Sequence, residues 1–257
     1  MLAAFCGLLG LIFGSFANVV IHRVPRGESI ARPPSACPGC GTPITPRDNI
    51  PVVSWLLLQG RCRSCGEPIA RRYPMVELGM GVLFAAVAAR IGLDWSLPGF
   101  LLFAWVLLVV SIIDIDTRKI PNRIMYPLTP ALLVLMVAAA LLSAEPPRAL
   151  AALVGGLGAF VVLLIIALMQ PRGMGMGDVK LAGFIGIALG YLGYGFVVLG
   201  IFGGFLVGGV VSVLLLATRA RGRRDMIPFG PYLAIGGLGA LLVGAPVLDA
   251  YLRSLGL

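Results

Sequence analysis

The chain has 257 residues, of which 59% are hydrophobic and only 12% are charged, and its mean hydropathy is +0.99. These values exclude an ordinary soluble domain with a polar exterior and indicate a protein that crosses a membrane several times. The net charge of +9 requires no nucleic acid partner, because membrane lipid with anionic headgroups can balance it at one face.

Apolar stretches close to the ~20 residues needed to cross a bilayer recur along the whole chain. They lie at about 1–21, 75–92, 97–113, 124–143, 149–169, 179–192, 195–217 and 228–248. We therefore predict an all-α polytopic membrane protein with about eight transmembrane helices. The stretch at 179–192 is short, so seven spans with a re-entrant turn within 179–217 is the alternative interpretation.

The basic residues predict how the chain is oriented in the membrane. If the spans alternate, 17 of the 20 Lys and Arg residues lie on one side, and only Arg90, Arg148 and Arg253 lie on the other. Basic loops stay preferentially on the cytoplasmic side. Because the basic loops are expected inside and the predicted number of spans is even, both termini are expected outside. No basic segment precedes the first span, which favours a retained helix over a cleaved signal.

The segment 22–73 is the only long polar stretch, and it carries a repeated cysteine pattern. Cys37-Pro-Gly-Cys40 and Cys62-Arg-Ser-Cys65 are both followed by Gly-x-Pro-Ile. Two such knuckles can supply four thiolates to one tetrahedral Zn²⁺, and a segment this short needs such a link to fold. The competing interpretation, a redox pair of C-x-x-C motifs, lacks the βαβ context that a thioredoxin-like site requires.

Only 11 acidic residues are present, and four of them lie at or inside apolar runs: Glu77, Asp114, Asp116 and Asp178. Glu77 falls about one turn into a span, where exposure to lipid would be costly, so it is expected to face the interior of the helix bundle. It is a possible substrate or cofactor contact. Asp114 ends one apolar run and Asp178 begins another, so both are expected at the cytoplasmic ends of their helices.

Asp114 and Asp178 can therefore meet at the same depth. Two carboxylates in a site of low dielectric do not both ionise easily, so one keeps a proton while the other can accept one from water. Peptide hydrolysis without a metal or a covalent nucleophile needs this division between acid and base. Gly175 and Gly177 leave space beside Asp178 for an extended peptide.

Each of these acids also has a purely structural interpretation. Asp178 can be a helix cap, because its carboxylate can accept hydrogen bonds from amides of the first turn. Asp114 and Asp116 can be interfacial charges balanced by Arg118 and Lys119. A third interpretation is an ion-coupled membrane transporter, in which Asp114 and Asp178 bind the transported ion or a proton.

Six motifs in register resemble the bacterial type IV prepilin peptidases, within the wider class of GxGD membrane aspartyl proteases. They are GSFANVVIHRVPRGESI (14–30), the paired cysteine knuckles, RRYPMVELGMG (71–81), DIDTRKIPNR (114–123), GMGDVKL (175–181) and PFGPYLAIGG (228–237). The resemblance covers nearly the whole chain. It implies a division into a first transmembrane helix at 1–21, a cytoplasmic Cys-rich segment at 22–73 and a membrane-embedded protease core at 74–257.

The resemblance also implies a function with two steps in a bacterial inner membrane. Members of the family cleave the basic leader from type IV prepilins, or from pseudopilins of type II secretion, at the cytoplasmic membrane face. They then methylate the new N-terminus with S-adenosylmethionine. The catalytic aspartates of the family fall on Asp114 and Asp178. The sequence carries no glycine-rich nucleotide fold, so no residues are assigned to S-adenosylmethionine binding from the sequence.

Overall fold

The computed structural model describes residues 1–170, 174–218 and 228–256, and these residues contain nine α-helices. The helices are α1 Leu2–Arg23, α2 Val53–Leu57, α3 Arg72–Ile91, α4 Leu97–Thr117, α5 Asn122–Leu142, α6 Pro146–Met169, α7 Met176–Leu192, α8 Tyr194–Ala217 and α9 Gly230–Ser254. The predicted all-helical class is confirmed.

Seven of these helices, all except α2 and α7, are long and apolar enough to cross a membrane. α7 has 17 residues, fewer than the ~20 that a typical bilayer requires. It is the short segment for which the sequence left two interpretations open. α7 is continuous up to Gly193, whose φ of 135° favours glycine, and α8 begins at the next residue.

The chain divides into two compact units, Met1–Gly92 and Leu93–Leu257. In the first unit, α1 packs along α3, and the cysteine-rich segment lies between these helices in sequence. The helices approach closely because small residues face the partner. A Cβ added to Gly14 of α1 would lie 2.6 Å from Cα of Glu77 in α3. Small residues at helix interfaces are typical of membrane proteins, in which van der Waals packing replaces the hydrophobic effect between helices.

The second unit is built around α7. This helix packs against α4, α5, α6, α8 and α9, and all its residues from Leu181 to Tyr191 are buried. Its contact with α6 again depends on glycine, because a Cβ added to Gly186 would lie 2.4 Å from the carbonyl oxygen of Gly155. Burial among other helices explains why so short a helix is so apolar.

We expect that a methyl group added at the α8–α9 contact destabilises the second unit. A Cβ on Gly236 of α9 would lie 2.2 Å from the oxygen of Gly200 and 2.3 Å from the nitrogen of Gly204, both in α8. Overpacking costs ~1–3 kcal/mol, which lowers Tm by several degrees in a chain of this size. Thermal unfolding of Gly236→Ala in detergent measures this loss.

Gly239→Ala is the matched control for this experiment. Gly239 also lies in α9, but a Cβ there would meet nothing within 4 Å. Because alanine favours a helix over glycine by up to ~1 kcal/mol, this variant should unfold at the wild-type temperature or slightly above it. Equal Tm values for the two variants would contradict the packing argument.

Candidate active site and metal site

Asp114 lies in the last turn of α4, with only 5% of its surface exposed. The helix ends three residues later, at Thr117, and the next residue, Arg118, has a φ of 55° in the left-handed region. The backbone N–H of Gly230, the first residue of α9, donates a hydrogen bond of 3.0 Å to Oδ2 of Asp114. A Cβ on Gly230 would lie 2.8 Å from the same oxygen. The amide therefore reaches the carboxylate because residue 230 has no side chain.

Asp178 lies in the first turn of α7, as the sequence predicted for a residue that begins an apolar run. Its Oδ2 accepts a hydrogen bond of 3.2 Å from the backbone N–H of Gly175. The helix-cap interpretation expected this carboxylate to accept from amides of the first turn, whereas it accepts from Gly175, the residue before the helix, as the N3 residue of a capping box does. A capping contact leaves acceptor positions free on the carboxylate, so it is compatible with a chemical role.

The two carboxylates belong to helix ends that pack around one residue. Ile120, in the connection between α4 and α5, lies against Gly177 near the start of α7 and against Gly230, the first residue of α9. A Cβ on Gly177 would lie 2.9 Å from Cβ of Ile120, and a Cβ on Gly230 would lie 3.4 Å from Cδ1 of the same residue. Ile120 thus packs between the start of α7 and the start of α9.

The two glycines before Asp178 have different surroundings. Gly177 makes room for Ile120, so its small size is explained by packing within the protein. Gly175 is exposed, and the nearest atom to a Cβ added there would be Oδ2 of Asp178 at 3.4 Å. Of the two positions, Gly175 is therefore the one that leaves open space beside the carboxylate.

Sequence reasoning missed the residues that hold these helix ends in place. Lys180 donates hydrogen bonds to Oδ1 of Asn122 at 2.8 Å and to the hydroxyl of Tyr126 at 3.0 Å. These contacts tie the start of α7 to the start of α5. Lys180, Asn122 and Gly230 all fall inside the quoted motifs, which was the available signal, but nothing in the sequence indicated their partners.

The four cysteines of the paired knuckles come together in the first unit, and their sulfur atoms lie within 4.8 Å of one another. In each knuckle a glycine of positive φ, Gly41 or Gly66, donates its N–H to the carbonyl of the first cysteine at 2.9 Å. The two turns therefore share one geometry, as the sequence repeat predicted.

This geometry fits a tetrahedral metal ion. Sulfur ligands ~2.3 Å from zinc are ~3.8 Å apart in a tetrahedron, and Sγ of Cys37 lies 3.7 Å from Sγ of Cys65. Hydrogen bonds with the hydroxyl and the backbone amide of Thr42 lower the pKa of the Cys40 thiol to about 6. Backbone amides of Cys65 and Ser64 lower the pKa of Cys62. Burial and the three other sulfur atoms raise the pKa of Cys65 to about 12, so the four thiols do not all ionise by themselves. A bound cation would supply the charge that lets four thiolates coexist.

Glu77 lies in α3 and is 9% exposed. Its Oε2 accepts a hydrogen bond of 2.7 Å from the backbone N–H of Val52. Val52 has φ 62° and ψ −49°, a conformation that β-branched residues rarely adopt. The hydrogen bond therefore fixes the position of the Glu77 carboxylate and stabilises the unfavourable backbone conformation of Val52.

The fold and the site define a class: a multi-pass membrane protein with a carboxylate pair at helix ends and a four-cysteine segment after its first helix. Comparison with known families gives a specific assignment. Residues 8–91 match the bacterial peptidase A24 N-terminal domain, and residues 101–216 match the type IV leader peptidase family. The chain belongs to this family.

Several curated relatives carry the name prepilin leader peptidase/N-methyltransferase. The protein of Aeromonas hydrophila is 36% identical, with 96% of this chain and 92% of the relative covered. The protein of Pseudomonas aeruginosa is 36% identical, covering 97% and 93%, and that of Bacillus subtilis is 35% identical, covering 96% of both. No solved structure matches the chain.

These comparisons confirm the predicted enzyme class, a peptidase with methyltransferase activity. Together with the seven apolar helices they indicate a multi-pass protein of the inner membrane. They favour the peptidase over the ion-coupled transporter. The roles of the individual residues remain predictions.

The cysteine cluster predicts one bound metal ion per chain. Protein purified without chelator should contain about one equivalent of zinc by elemental analysis, because four thiolates complete a tetrahedral site. Cys62→Ser should lose most of the metal, whereas Cys6→Ser, a cysteine of α1 outside the cluster, should retain it. Metal-free wild-type protein with four reactive thiols would contradict the prediction.

Proposed function

We propose that the protein cleaves the basic leader peptide of type IV prepilins, or of type II secretion pseudopilins, at the cytoplasmic face of the inner membrane. Asp114 and Asp178 perform the hydrolysis, and the new N-terminus is then methylated. The observation that supports this proposal is the buried Asp114 carboxylate at the end of α4, where Ile120 packs against Gly177 and so brings the start of α7, with Asp178, to the same place. The names of the curated relatives supply the substrate class.

The chemistry follows from two carboxylates that share a proton. The ionised carboxylate takes a proton from water as the water oxygen bonds to the carbonyl carbon of the scissile peptide, while the protonated carboxyl donates to the carbonyl oxygen. When the tetrahedral intermediate collapses, the C–N bond breaks and a proton passes to the departing amine. The products are a leader with a free carboxylate and a pilin with a free amine.

The position of the site suits a substrate that is itself a membrane helix. The apolar helix of a pilin can enter the bilayer and leave its basic leader at the cytoplasmic side. The scissile bond then lies near the helix ends that carry Asp114 and Asp178. Gly175 is exposed beside Asp178 and offers backbone to an extended peptide. The distribution of Lys and Arg in the sequence supports this orientation, with both termini outside.

Two further groups complete the proposal. The cluster of Cys37, Cys40, Cys62 and Cys65 holds a structural Zn²⁺, and S-adenosylmethionine supplies the methyl group. In the transfer, the lone pair of the new amine bonds to the methyl carbon, the S–C bond breaks with its electrons left on sulfur, and the amine releases a proton. In this proposal, residues 1–21 form the first transmembrane helix, 22–73 the cytoplasmic Cys-rich segment and 74–257 the membrane-embedded protease core.

Substitution of either aspartate should abolish cleavage. Asp178→Asn keeps the size of the side chain but removes the proton that the pair exchanges, so leader removal from a synthetic prepilin should slow by roughly 10³-fold or more. The mass of the product reports both leader loss and methylation. The same loss is expected for Asp114→Asn.

Asp116→Asn is the matched control, because Asp116 lies two residues from Asp114 but is exposed. This variant should cleave at close to the wild-type rate. Full activity in Asp178→Asn, or equal losses in all three variants, would contradict the assignment of the pair.

A further inference from the structure

The short helix α2 places apolar side chains on the outside of the first unit. Val53, Leu56 and Leu57 have the spacing of residues on one face of a helix, and 47%, 61% and 78% of their surfaces are exposed. We call these three side chains the α2 face. Ser54, the only polar residue of α2, is buried instead, with 5% of its surface exposed. This distribution is the reverse of the one expected for a helix on a surface that faces water.

The other side of α2 makes contacts within the unit. The hydroxyl of Ser54 donates a hydrogen bond of 2.8 Å to the carbonyl oxygen of Arg47 and accepts one of 3.0 Å from the backbone N–H of Ile50. Ser54, Trp55 and Leu58 line a cavity of about 1110 Å³ that is bounded by α1, the cysteine-rich segment and the start of α3. The α2 face lies outside this lining. Its three side chains are therefore available to a partner outside the unit.

Two hydrogen bonds fix the position of α2 along α3. The backbone N–H of Val52, directly before α2, donates to Oε2 of Glu77 at 2.7 Å. Glu77 lies five residues after Arg72, the first residue of α3, which corresponds to about 7.5 Å along the helix axis. The indole N–H of Trp55 donates to the carbonyl oxygen of Ile69, three residues before α3, at 3.1 Å. α2 therefore lies beside the first turns of α3.

α3 is long and apolar enough to span the membrane, so its first turns lie where the bilayer meets water. Met75 and Leu78, on either side of Glu77 in the sequence, are exposed, as expected for residues that face lipid. Helices that lie in the membrane interface bury an apolar face about 5–10 Å into the boundary between headgroups and acyl chains. The hydrogen bond of Val52 to Glu77 places α2 within this range of depth.

The residues around α2 carry the charge that attracts anionic lipid. Residues 46–72 contain five Arg and two acids, and one of the acids, Asp48, forms an ion pair of 2.6 Å with Arg63. Arg61, after α2, and Arg71, before α3, are both exposed. Basic residues close to a membrane surface favour anionic headgroups. Exposed apolar side chains with basic neighbours are typical of segments that bind the membrane interface.

We propose that the α2 face binds the membrane interface, with Val53, Leu56 and Leu57 among the acyl chains and the neighbouring arginines at anionic headgroups. The partner is the lipid bilayer itself. The second cysteine knuckle begins at Cys62, four residues after Leu58, so this contact holds the four-sulfur cluster close to the membrane surface. The inference requires that α3 spans the membrane, and it is independent of the roles proposed for the two aspartates.

Site-specific photocrosslinking identifies what covers the α2 face. The full chain is placed in nanodiscs of phosphatidylethanolamine and phosphatidylglycerol, with a genetically encoded benzophenone amino acid in place of Leu57. Irradiation should give lipid adducts at residue 57, as it should for the same replacement of Val82, an exposed residue further along α3. Ser64, a polar and exposed residue of the second knuckle, is the matched control. Replacement there should give about tenfold fewer lipid adducts than at residue 57.

The identity of the adducts tests the contribution of charge and the choice of partner. Phosphatidylglycerol should be enriched among adducts at residue 57 relative to those at residue 82. Arg61→Gln should lower this enrichment about two- to fivefold, because each basic residue near the surface contributes to the attraction. Equal lipid labelling at residues 57 and 64 would overturn the proposal. A crosslink from residue 57 to added prepilin, or to a second copy of the chain, in place of lipid would also overturn it.

Hydroxyl-radical footprinting of the wild type keeps the test decisive if the replacement of Leu57 prevents folding. In the first unit Leu57 is more exposed than Ile30, another aliphatic residue. If water surrounded both residues, Leu57 would be oxidised more strongly, whereas lipid cover should leave it oxidised less than Ile30. Stronger oxidation of Leu57 in nanodiscs refutes the proposal. Leader cleavage measured in the same preparation reports that the protein is folded.

Discussion

The hydrogen bond from the Gly230 amide to Asp114 is the contact on which the architecture of the candidate site depends. A carboxylate that is 5% exposed must find polar partners inside the protein, and the first amide of α9 provides one at 3.0 Å. Only glycine lets the backbone approach so closely, since a Cβ at this position would meet the carboxylate at 2.8 Å. The end of α4 and the start of α9 are thereby held together around one acid.

The candidate sites are divided between the two compact units. The second unit holds Asp114 and Asp178, and the first holds the cysteine cluster, Glu77 and a cavity of about 1110 Å³. The two family matches fall one in each unit. The carboxylate pair proposed for hydrolysis therefore lies in one unit and the four-sulfur cluster in the other.

The sequence was sufficient for the class of fold, because apolar stretches of span length and a repeated C-x-x-C pattern are local signals. It also placed Asp114 and Asp178 at helix ends. It did not reveal the Gly230 amide on Asp114, Ile120 against Gly177, or the Val52 amide on Glu77. These contacts join residues far apart in the chain or depend on an unusual backbone conformation, so neither spacing nor composition indicates them. Gly177 is an example: the sequence predicted open space for a substrate peptide there, but in the structure Ile120 occupies that space.

The central claim is that Asp114 and Asp178 act as a single catalytic unit, and the most direct measurement is the rate of leader cleavage in Asp114→Asn, Asp178→Asn and the double variant. Residues that exchange one proton are strongly non-additive. We expect the double variant to be no slower than either single variant, with all three near the uncatalysed rate. Losses that multiply in the double variant, or a single variant with near wild-type cleavage, would contradict the account.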